Sequence, residues 1–388
     1  MLLRLVNARL YAPESLGIRD ILVGGERILH VGEPGSTDWA TGAESLDLEG
    51  RVVIPSLIDG HAHLTGGGGE SGYSSRVPPV PLSRFTRAGV TSVVGVLGTD
   101  DVTRTTESLV AAAYGLREEG IGAWCHCGGY HLPPVTITGS VERDIVFVDP
   151  VIGVGELAIS DHRSSQPTLD EILRIAGGAH VAGMMTGKAG ILHLHLGDGT
   201  RGLELVREAL ATSEIPARVF NPTHVNRQPA LFEESIALAR QGSTVDITAY
   251  PVEEGDPSVP AAEALLRYLE SGAPADRVTI SSDGGGCLPE FDADGVLKRM
   301  DIGDPGILIA TLAELVASGA ALETVLPAFT SNAASLLRFH DRGRVAAGMT
   351  ADLVVLGDDG MARDVMARGR WHVREGRAIV RGTFENTK

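Results

Sequence analysis

From Ser56 onward, short apolar runs rich in β-branched residues alternate with longer stretches that have helical periodicity. This alternation is typical of βα units, in which a helix connects each strand to the next parallel strand. Eight such units joined by short links predict a closed (β/α)8 barrel (an α/β fold) rather than an open sheet. The strands are predicted at Leu57–His61, Ser92–Val96, Gly122–His126, Ile152–Leu157, Ile191–Leu196, Arg218–Pro222, Thr244–Thr248 and Val278–Ser282.

Helical stretches separate these strands and follow the last one. They are predicted at Thr103–Glu119, Leu169–Met185, Arg201–Ala211, Leu231–Gln241, Ala261–Ser271 and Leu322–Phe339. Both ends of the chain show short strand patterns separated by glycine, proline and acidic turns. Those strands are predicted at Leu2–Leu5, Asp20–Val23, Arg27–Val31, Arg51–Ile54, Asp352–Leu356, Met366–Ala367 and Arg377–Val380. We therefore expect a barrel at residues 55–340 and a small β-sandwich built from residues 1–54 and 341–388.

Composition narrows the classes of partner. The formal net charge of −17 argues against nucleic acid and anionic membranes as partners, since both require a basic face. No apolar run approaches the roughly 18 residues of a membrane span, and the N-terminus is interrupted too early by Arg4 to be a signal peptide. The three cysteines are too few, and odd in number, for a disulfide framework, which predicts reduced thiols and a cytoplasmic location.

Residues of metal-binding type fall at the ends of several predicted strands. His61 and His63 are two positions apart in an extended segment, so both imidazoles point to the same face. Further candidates end the fourth, fifth, sixth and eighth strands: Glu156, His195, His224 and Asp283. Because the C-terminal strand ends form the active-site face of such a barrel, these residues together predict one metal site.

Each of these residues has a plainer explanation when taken alone. A histidine pair in a strand is often packing or solvated polarity, and Asp283 could cap a helix. His224 could be an ordinary loop histidine. The run Cys125-His126-Cys127 could be imagined as a metal clip, but its spacing does not match a structural zinc site and no second pair exists. The coincidence of the other candidates at strand ends favours the metal site.

The motifs around these residues resemble the amidohydrolase superfamily and, within it, the isoaspartyl (β-aspartyl) dipeptidases over nearly the whole chain. The stretches that carry the resemblance are HAHLTGGGGE (61–70), GTD (98–100), GYHLP (129–133), AISDHRS (158–164), PTHVNR (222–227) and SSDG (281–284). The resemblance implies a metal-dependent amide hydrolase whose substrate is a small dipeptide. Since that family is oligomeric, a homo-oligomer is expected by analogy.

By this resemblance, two divalent metal ions, with zinc expected, share a bridging hydroxide. One ion would be held by His61, His63 and Asp283, and the other by His195 and His224. His193 lies on the same strand face as His195, but the motif that follows His195 makes His195 the ligand. His193 is expected to be a packed or hydrogen-bonded neighbour.

The chain departs from the family at the bridging position. The family normally bridges its metals with a carboxylated lysine, whereas the register of the 158–164 motif places Glu156 there. A glutamate supplies the same anionic two-oxygen bridge without carbon dioxide, although its reach is shorter. Lys188 precedes the fifth strand and is expected on the opposite barrel face, so it is not a substitute.

The resemblance also implies the groups that act on the scissile bond. Asp283 would accept a proton from the hydroxide and deliver it to the departing amine. Tyr130 resembles the residue that hydrogen-bonds the developing oxyanion, although an aromatic at a pocket rim can serve packing alone.

Substrate binding requires one anion and at least two cations, because the dipeptide carries an ammonium and two carboxylates. The resemblance assigns the ammonium to Glu70 and the carboxylates to Arg163 and Arg227, whose planar guanidinium groups bind carboxylates in a bidentate manner. Gly68 and Thr99 are expected nearby. Cys287 stands where the family commonly has a serine that contacts the substrate.

Two alternatives remain open. Another amidohydrolase, such as a cyclic-amide hydrolase or an N-acyl amino acid deacylase, would not require Glu70, Arg163 and Arg227 together. A non-catalytic scaffold that kept the barrel is disfavoured because the candidate metal ligands are all present.

Overall fold

The structure, a computed structural model, describes residues 2–253, 255–291 and 297–385. It begins with β1 (Leu2–Tyr11), β2 (Ser15–Gly24), β3 (Arg27–Gly32), β4 (Glu44–Asp47) and β5 (Val52–Pro55). The four strands predicted in this region are confirmed. The short strand β4 was missed because it is mostly exposed and lacks an alternating apolar pattern.

The next eight strands are parallel and form the centre of the fold. They are β6 (Leu57–Ala62), β7 (Val90–Gly95), β8 (Gly122–Cys127), β9 (Val151–Ile159), β10 (Leu192–Leu196), β11 (Phe220–Thr223), β12 (Val245–Thr248) and β13 (Val278–Ser281). Strands β6 to β11 form one sheet, and β12 pairs with β13. The Asp283 amide donates to the His61 carbonyl at 3.1 Å, which connects the end of β13 to β6. The predicted TIM-barrel-like α/β fold is confirmed.

Helices connect and follow these strands. They are α1 (Leu82–Arg87), α2 (Thr106–Glu118), α3 (Val141–Phe147), α4 (Leu169–Thr186), α5 (Glu204–Thr212), α6 (Pro229–Ala239), α7 (Ala261–Glu270), α8 (Gly306–Ala317), α9 (Leu322–Val325) and α10 (Ser331–Leu337). Capping boxes begin α2 at Thr105 and α4 at Thr168. The single stretch predicted at Leu322–Phe339 is divided by a 3-10 turn at Leu326–Phe329, which contains a proline that cannot donate a helical hydrogen bond.

The remaining strands form a hairpin after the barrel and the rest of the small sheet. They are β14 (Cys287–Phe291), β15 (Leu297–Ile302), β16 (Leu353–Leu356), β17 (Ala362–Ala367), β18 (Arg370–Arg374) and β19 (Arg377–Ala378). Strands β16 to β19 join β1 to β5 in one nine-stranded sheet. Both termini therefore meet in one sheet, as expected. Its closure into a sandwich and the boundaries at residues 54/55 and 340/341 stay predictions.

Opposite ends of the barrel differ in polarity. A buried apolar cluster that includes Ile58, Val94, Ile152 and Leu337 fills the N-terminal end. Close packing there restricts the strands, so side chains at the other end are held in fixed relative positions. In the described part of the chain, no helix combines the length and apolarity needed to cross a bilayer.

Candidate active site

Glu156 lies at the centre of the predicted metal ligands and is almost completely buried. Its Oε1 atom is 3.6 Å from His61 Nε2 and 3.5 Å from His63 Nε2. Its Oε2 atom is 3.0 Å from His195 Nδ1 and 3.5 Å from His224 Nε2. One carboxylate oxygen therefore faces each pair of histidines, which is the arrangement that a bridging ligand requires.

Asp283 joins the same cluster from the end of β13. Its Oδ1 atom lies 3.0 Å from His63 Nε2 and 3.4 Å from His61 Nε2. The ligand atoms form three buried sets, each within 4.8 Å: His61, His63 and Glu156; His61, His224 and Asp283; and Glu156, His195 and His224. The structure thus brings all six predicted metal-type residues together at one end of the barrel.

A local irregularity in β9 explains how the shorter glutamate reaches the centre. Residues Leu192 and Leu194 of β10 pair with Val154 and Leu157 of β9, so β9 contains an extra residue at this point. Such a bulge redirects side chains next to active sites. Gly155 has a φ of 143°, and a Cβ atom there would lie 2.4 Å from the His193 carbonyl oxygen. Only glycine permits this close approach of β9 to β10.

Two of the ligands also have unusual backbone conformations. His224 and Asp283, just beyond β11 and β13, adopt left-handed φ values of 60° and 51°. Non-glycine residues rarely adopt this conformation, and strained backbone of this kind is concentrated at functional sites. The left-handed turns make both residues leave the direction of their strands, at the rim where their side chains join the cluster.

The cluster has the properties of a site for divalent metal ions. His61 Nε2 and Asp283 Oδ1 are buried, and none of their close neighbours among the described residues meets the geometry of a hydrogen bond. A buried polar atom without a partner is costly, and a metal ion would satisfy both atoms. Mixed imidazole and carboxylate ligands suit zinc and related divalent ions. The residues present therefore fit such ions.

Electrostatics favour a cation at the same position. Burial opposes the charged form of His61, but the carboxylates of Glu156 and Asp283 raise the pKa of His61 to about 9. Burial also opposes ionisation of the two carboxyl groups, yet the surrounding histidines hold the pKa of each well below its usual range. The buried carboxylates thus stabilise positive charge, which a metal ion would supply in place of a proton.

In His61 and His224, the ring nitrogen that points away from the cluster is hydrogen-bonded, whereas His63 Nδ1 lacks a partner among the described residues. His61 Nδ1 is 2.8 Å from His193 Nε2, and His224 Nδ1 is 2.7 Å from Thr248 Oγ1. His193 is therefore a hydrogen-bonded neighbour, as expected. These outer contacts leave the other nitrogen of each ring facing Glu156, and outer partners of this kind orient metal-binding histidines.

Asp161 is a residue that the sequence analysis missed. Its Oδ2 atom lies 3.0 Å from His195 Nε2 and accepts a 2.7 Å bond from Arg163 Nη2, while its Oδ1 atom accepts a 3.1 Å bond from Arg163 Nε. One buried carboxylate thus connects a predicted metal ligand to a predicted substrate-binding arginine. The available signal was its position two residues before Arg163 in the 158–164 motif.

A single pocket contains the predicted substrate-binding residues. Its lining comprises His63, Gly67, Gly68, Glu70, Gly98, Thr99, Tyr130, Arg163, His195, Arg227, Asp283 and Cys287. Arg163 Nη1 lies 3.4 Å from Glu70 Oε1, and the Cys287 thiol donates to the same oxygen at 3.2 Å. The Tyr130 hydroxyl is 2.8 Å from His195 Nδ1. The charged residues and the metal-type residues therefore share one cavity.

Arg104 organises the glycine run at residues 66–69 and was not identified from the sequence. Its buried guanidinium donates to the carbonyls of Gly67 at 2.8 Å and Val77 at 3.2 Å, and to Asp100 Oδ2 at 2.7 Å. At Gly66, whose φ is 76°, a Cβ atom would lie 1.9 Å from the Val77 carbonyl oxygen. The glycines permit this tight backbone packing at the pocket wall.

Two other sequence features lie away from the cluster. The Lys188 ammonium donates to the carbonyls of Ile145 in α3, of Val148 just after α3, and of Val151, the first residue of β9. It therefore lies at the end of β9 where the strand begins, away from Glu156. This agrees with the expected position of Lys188. Cys125 and Cys127 are free and buried, and neither belongs to a metal-type group among the described residues.

Several known proteins are similar to this chain. The chain is 40% identical to the β-aspartyl dipeptidase of the thermophilic, keratin-degrading Fervidobacterium islandicum AW-1, crystallised with a β-Asp-Leu dipeptide, with a TM-score of 0.91 over 97% of this chain and 98% of that one. It is 26% identical to an imidazolonepropionase of Ruegeria sp. (strain TM1040), over 90% of this chain and 91% of that protein. An N-acetylglucosamine-6-phosphate deacetylase from Pasteurella multocida shares the fold, at 15% identity and a TM-score of 0.64, with 96% and 100% of the two chains covered. No protein-family model matches the chain.

Proposed function

Because this chain belongs to the β-aspartyl dipeptidase family of the amidohydrolase superfamily, and is thus a hydrolase, we propose that it hydrolyses the β-aspartyl (isoaspartyl) amide bond of dipeptides. The observation that carries the proposal is the shared cavity. His63, His195 and Asp283 line the same pocket as Glu70, Arg163 and Arg227. A substrate bound through its charged ends would thus have its amide bond beside the metal ligands.

We propose that His61, His63, His195, His224 and Asp283 hold two divalent ions, with zinc expected, and that Glu156 bridges them. When bound, such ions lower the pKa of a coordinated water and polarise a substrate carbonyl. The bridging role is supported by the position of Glu156, because one of its carboxylate oxygens faces His61 and His63 and the other faces His195 and His224.

Asp283 and Tyr130 are the groups proposed to act on the reacting atoms. Asp283 lies in the pocket as a carboxylate, which can accept the proton of the attacking water and then pass it to the leaving amine. The Tyr130 hydroxyl, next to His195, is placed to donate a hydrogen bond to the developing oxyanion. Burial raises the pKa of Tyr130 well above its usual range, so the hydroxyl keeps the proton that this donation requires.

Charge complementarity supports the choice of a β-aspartyl dipeptide. Glu70 would bind the substrate ammonium, and Arg163 and Arg227 would bind its two carboxylates, with Gly68, Thr99 and Cys287 completing the pocket wall. Charge-assisted hydrogen bonds to buried partners are the strong ones, and a guanidinium binds a carboxylate through two of them. The homo-oligomeric state and the cytoplasmic location stay predictions.

The first test is a hydrolysis screen of the purified protein with β-Asp-Leu, α-Asp-Leu, a cyclic amide and an N-acetyl amino acid. We expect hydrolysis of β-Asp-Leu, loss of that activity after treatment with a chelator, and recovery when zinc is added. Product leucine, measured by chromatography, gives the rate.

The other substrates discriminate between the alternatives. Faster turnover of the cyclic amide or the N-acetyl amino acid would assign the chain to another amidohydrolase activity. Equal cleavage of α- and β-Asp-Leu would contradict the proposed charge recognition. A protein that neither binds metal nor cleaves any of the four would be a scaffold.

A second prediction concerns the bridge. Unlike a lysine, Glu156 does not have to react with carbon dioxide to become a carboxylate. Metal content and activity are therefore expected to be the same in carbon-dioxide-depleted buffer and in buffer with added bicarbonate. Metal analysis and initial rates with β-Asp-Leu measure both quantities.

The matched variant is Glu156→Gln, which keeps the shape of the side chain and removes its charge. This variant is expected to lose bound metal, and added bicarbonate should not restore its metal content. Loss of metal from the unmodified protein on depletion, with recovery on addition of bicarbonate, would show that another group forms the bridge.

A further inference from the structure

A chain of three buried hydrogen bonds crosses the barrel interior from His61 on β6 to Thr244, the residue just before β12. His61 Nδ1 lies 2.8 Å from His193 Nε2, and His193 Nδ1 lies 2.7 Å from Asn221 Oδ1. The Asn221 side-chain amide then donates to the Thr244 carbonyl at 2.7 Å. All four residues are at most 2% exposed, so water does not compete with these bonds.

The direction of each bond follows from the last one. A backbone carbonyl only accepts, so the atom of Asn221 near Thr244 is the amide nitrogen, and its Oδ1 must face His193. That oxygen also only accepts, which places the His193 proton on Nδ1. In a neutral imidazole, Nε2 is then an acceptor, so the Nδ1–H group of His61 donates the hydrogen bond between the two rings.

The consequence appears at the other side of the His61 ring. If a metal ion takes the place of the second proton of His61, the first stays on Nδ1 and Nε2 is free to bind the ion. His61 Nε2 faces Glu156 Oε1 at 3.6 Å and Asp283 Oδ1 at 3.4 Å. We propose that His193, held by Asn221, is a positioning residue that fixes His61 in the tautomer able to bind a metal ion. This inference rests on the proposed function, since it concerns the same metal site.

His193 needs this external anchor because an imidazole can either donate or accept at Nε2. The outer contacts of His195 and His224 do not depend on a second tautomer. The Asp161 carboxylate can only accept a hydrogen bond from His195, and the Thr248 hydroxyl can rotate to donate to or accept from His224. His61, in contrast to His195 and His224, relies on a second histidine, whose own tautomer is set by Asn221.

The test compares zinc affinity in three variants of the full-length, chelator-stripped protein. His193→Gln retains an acceptor toward His61 and a donor toward Asn221, so its zinc affinity is expected to stay within a few-fold of the unmodified protein. His193→Leu removes both and is expected to weaken zinc binding by about 10- to 100-fold, as is typical of lost outer-shell partners. Asn221→Ala, which frees the His193 tautomer, is expected to weaken zinc binding in the same direction.

His126→Leu is the matched control. His126 is also buried in the barrel, its ring centroid is 5.4 Å from that of His193, and its ring nitrogens lack a hydrogen-bond partner in the described part of the chain. The same substitution there should leave zinc affinity unchanged. Competition with a chromophoric chelator gives the affinities, and the melting temperature of each metal-free variant shows which of them are folded.

The outcomes separate this inference from the proposed function. Unchanged zinc affinity in folded His193→Leu, or equal weakening in His193→Gln and His193→Leu, would overturn the tautomer role while leaving the dipeptidase proposal intact. If His193→Leu does not fold, Asn221→Ala decides: unchanged affinity there overturns the role. Absence of zinc binding by the unmodified protein would overturn both proposals.

Discussion

Asp283→Asn is expected to lower kcat for β-Asp-Leu by roughly 10²- to 10⁴-fold, the usual contribution of a general acid–base group. The substitution keeps an oxygen toward His63 but removes the group that can accept and return a proton. Because the substrate-binding charges are unchanged, KM should change little. Steady-state kinetics, with zinc content measured on the same samples, test this expectation.

The control for Asp283→Asn is Asp276→Asn. Asp276 precedes the same strand at the opposite end of the barrel, where its side chain is 71% exposed. The control should keep full activity. Retention of more than about a tenth of the activity by zinc-loaded Asp283→Asn would contradict the proposed proton transfer, because even the low end of the usual contribution is a hundredfold loss.

Arg227→Ala should lower kcat/KM for β-Asp-Leu by about 100-fold, which corresponds to roughly 3 kcal/mol for a lost charge-assisted pair of hydrogen bonds. The effect is expected mainly in KM, since the carboxylate is bound in both the ground state and the transition state. Arg227 suits this test better than Arg163, which is tied to Asp161 by two bonds. Arg227 Nε lies 3.8 Å from the exposed carboxylate of Asp198.

Arg207→Ala is the control for a general effect of charge. Arg207 forms an exposed ion pair with Glu234 on the outside of the barrel, so its removal should not affect the kinetics. Arg227→Lys retains the charge without the planar guanidinium group, so its kcat/KM should lie between the values of Arg227→Ala and Arg207→Ala. Unchanged hydrolysis of β-Asp-Leu by Arg227→Ala would contradict the proposed binding of a substrate carboxylate by Arg227 and, with it, the charge recognition on which the choice of a β-aspartyl dipeptide rests.

The sequence was sufficient for the fold class because periodicity is a local property. The eight barrel strands were located within a few residues of β6 to β13, and their order then predicted which residues share the C-terminal rim. Where the local pattern was weak, the prediction was incomplete. The helices α1, α3 and α8 were missed, and the stretch at Leu322–Phe339 was predicted as one helix although Pro327 lies inside it.

The sequence by itself determined which residue types stand at the strand ends, including the exchange of the expected bridging lysine for Glu156. Only the tertiary structure decided how Glu156 reaches the centre, through an extra residue in β9 beside Gly155. It also decided the roles of Asp161, Arg104 and the His193–Asn221 pair. Hydrogen bonds of this kind join residues far apart in the chain, and their direction depends on which donor meets which acceptor across the barrel. Local sequence patterns do not contain this information, because it depends on distances between residues in the folded chain.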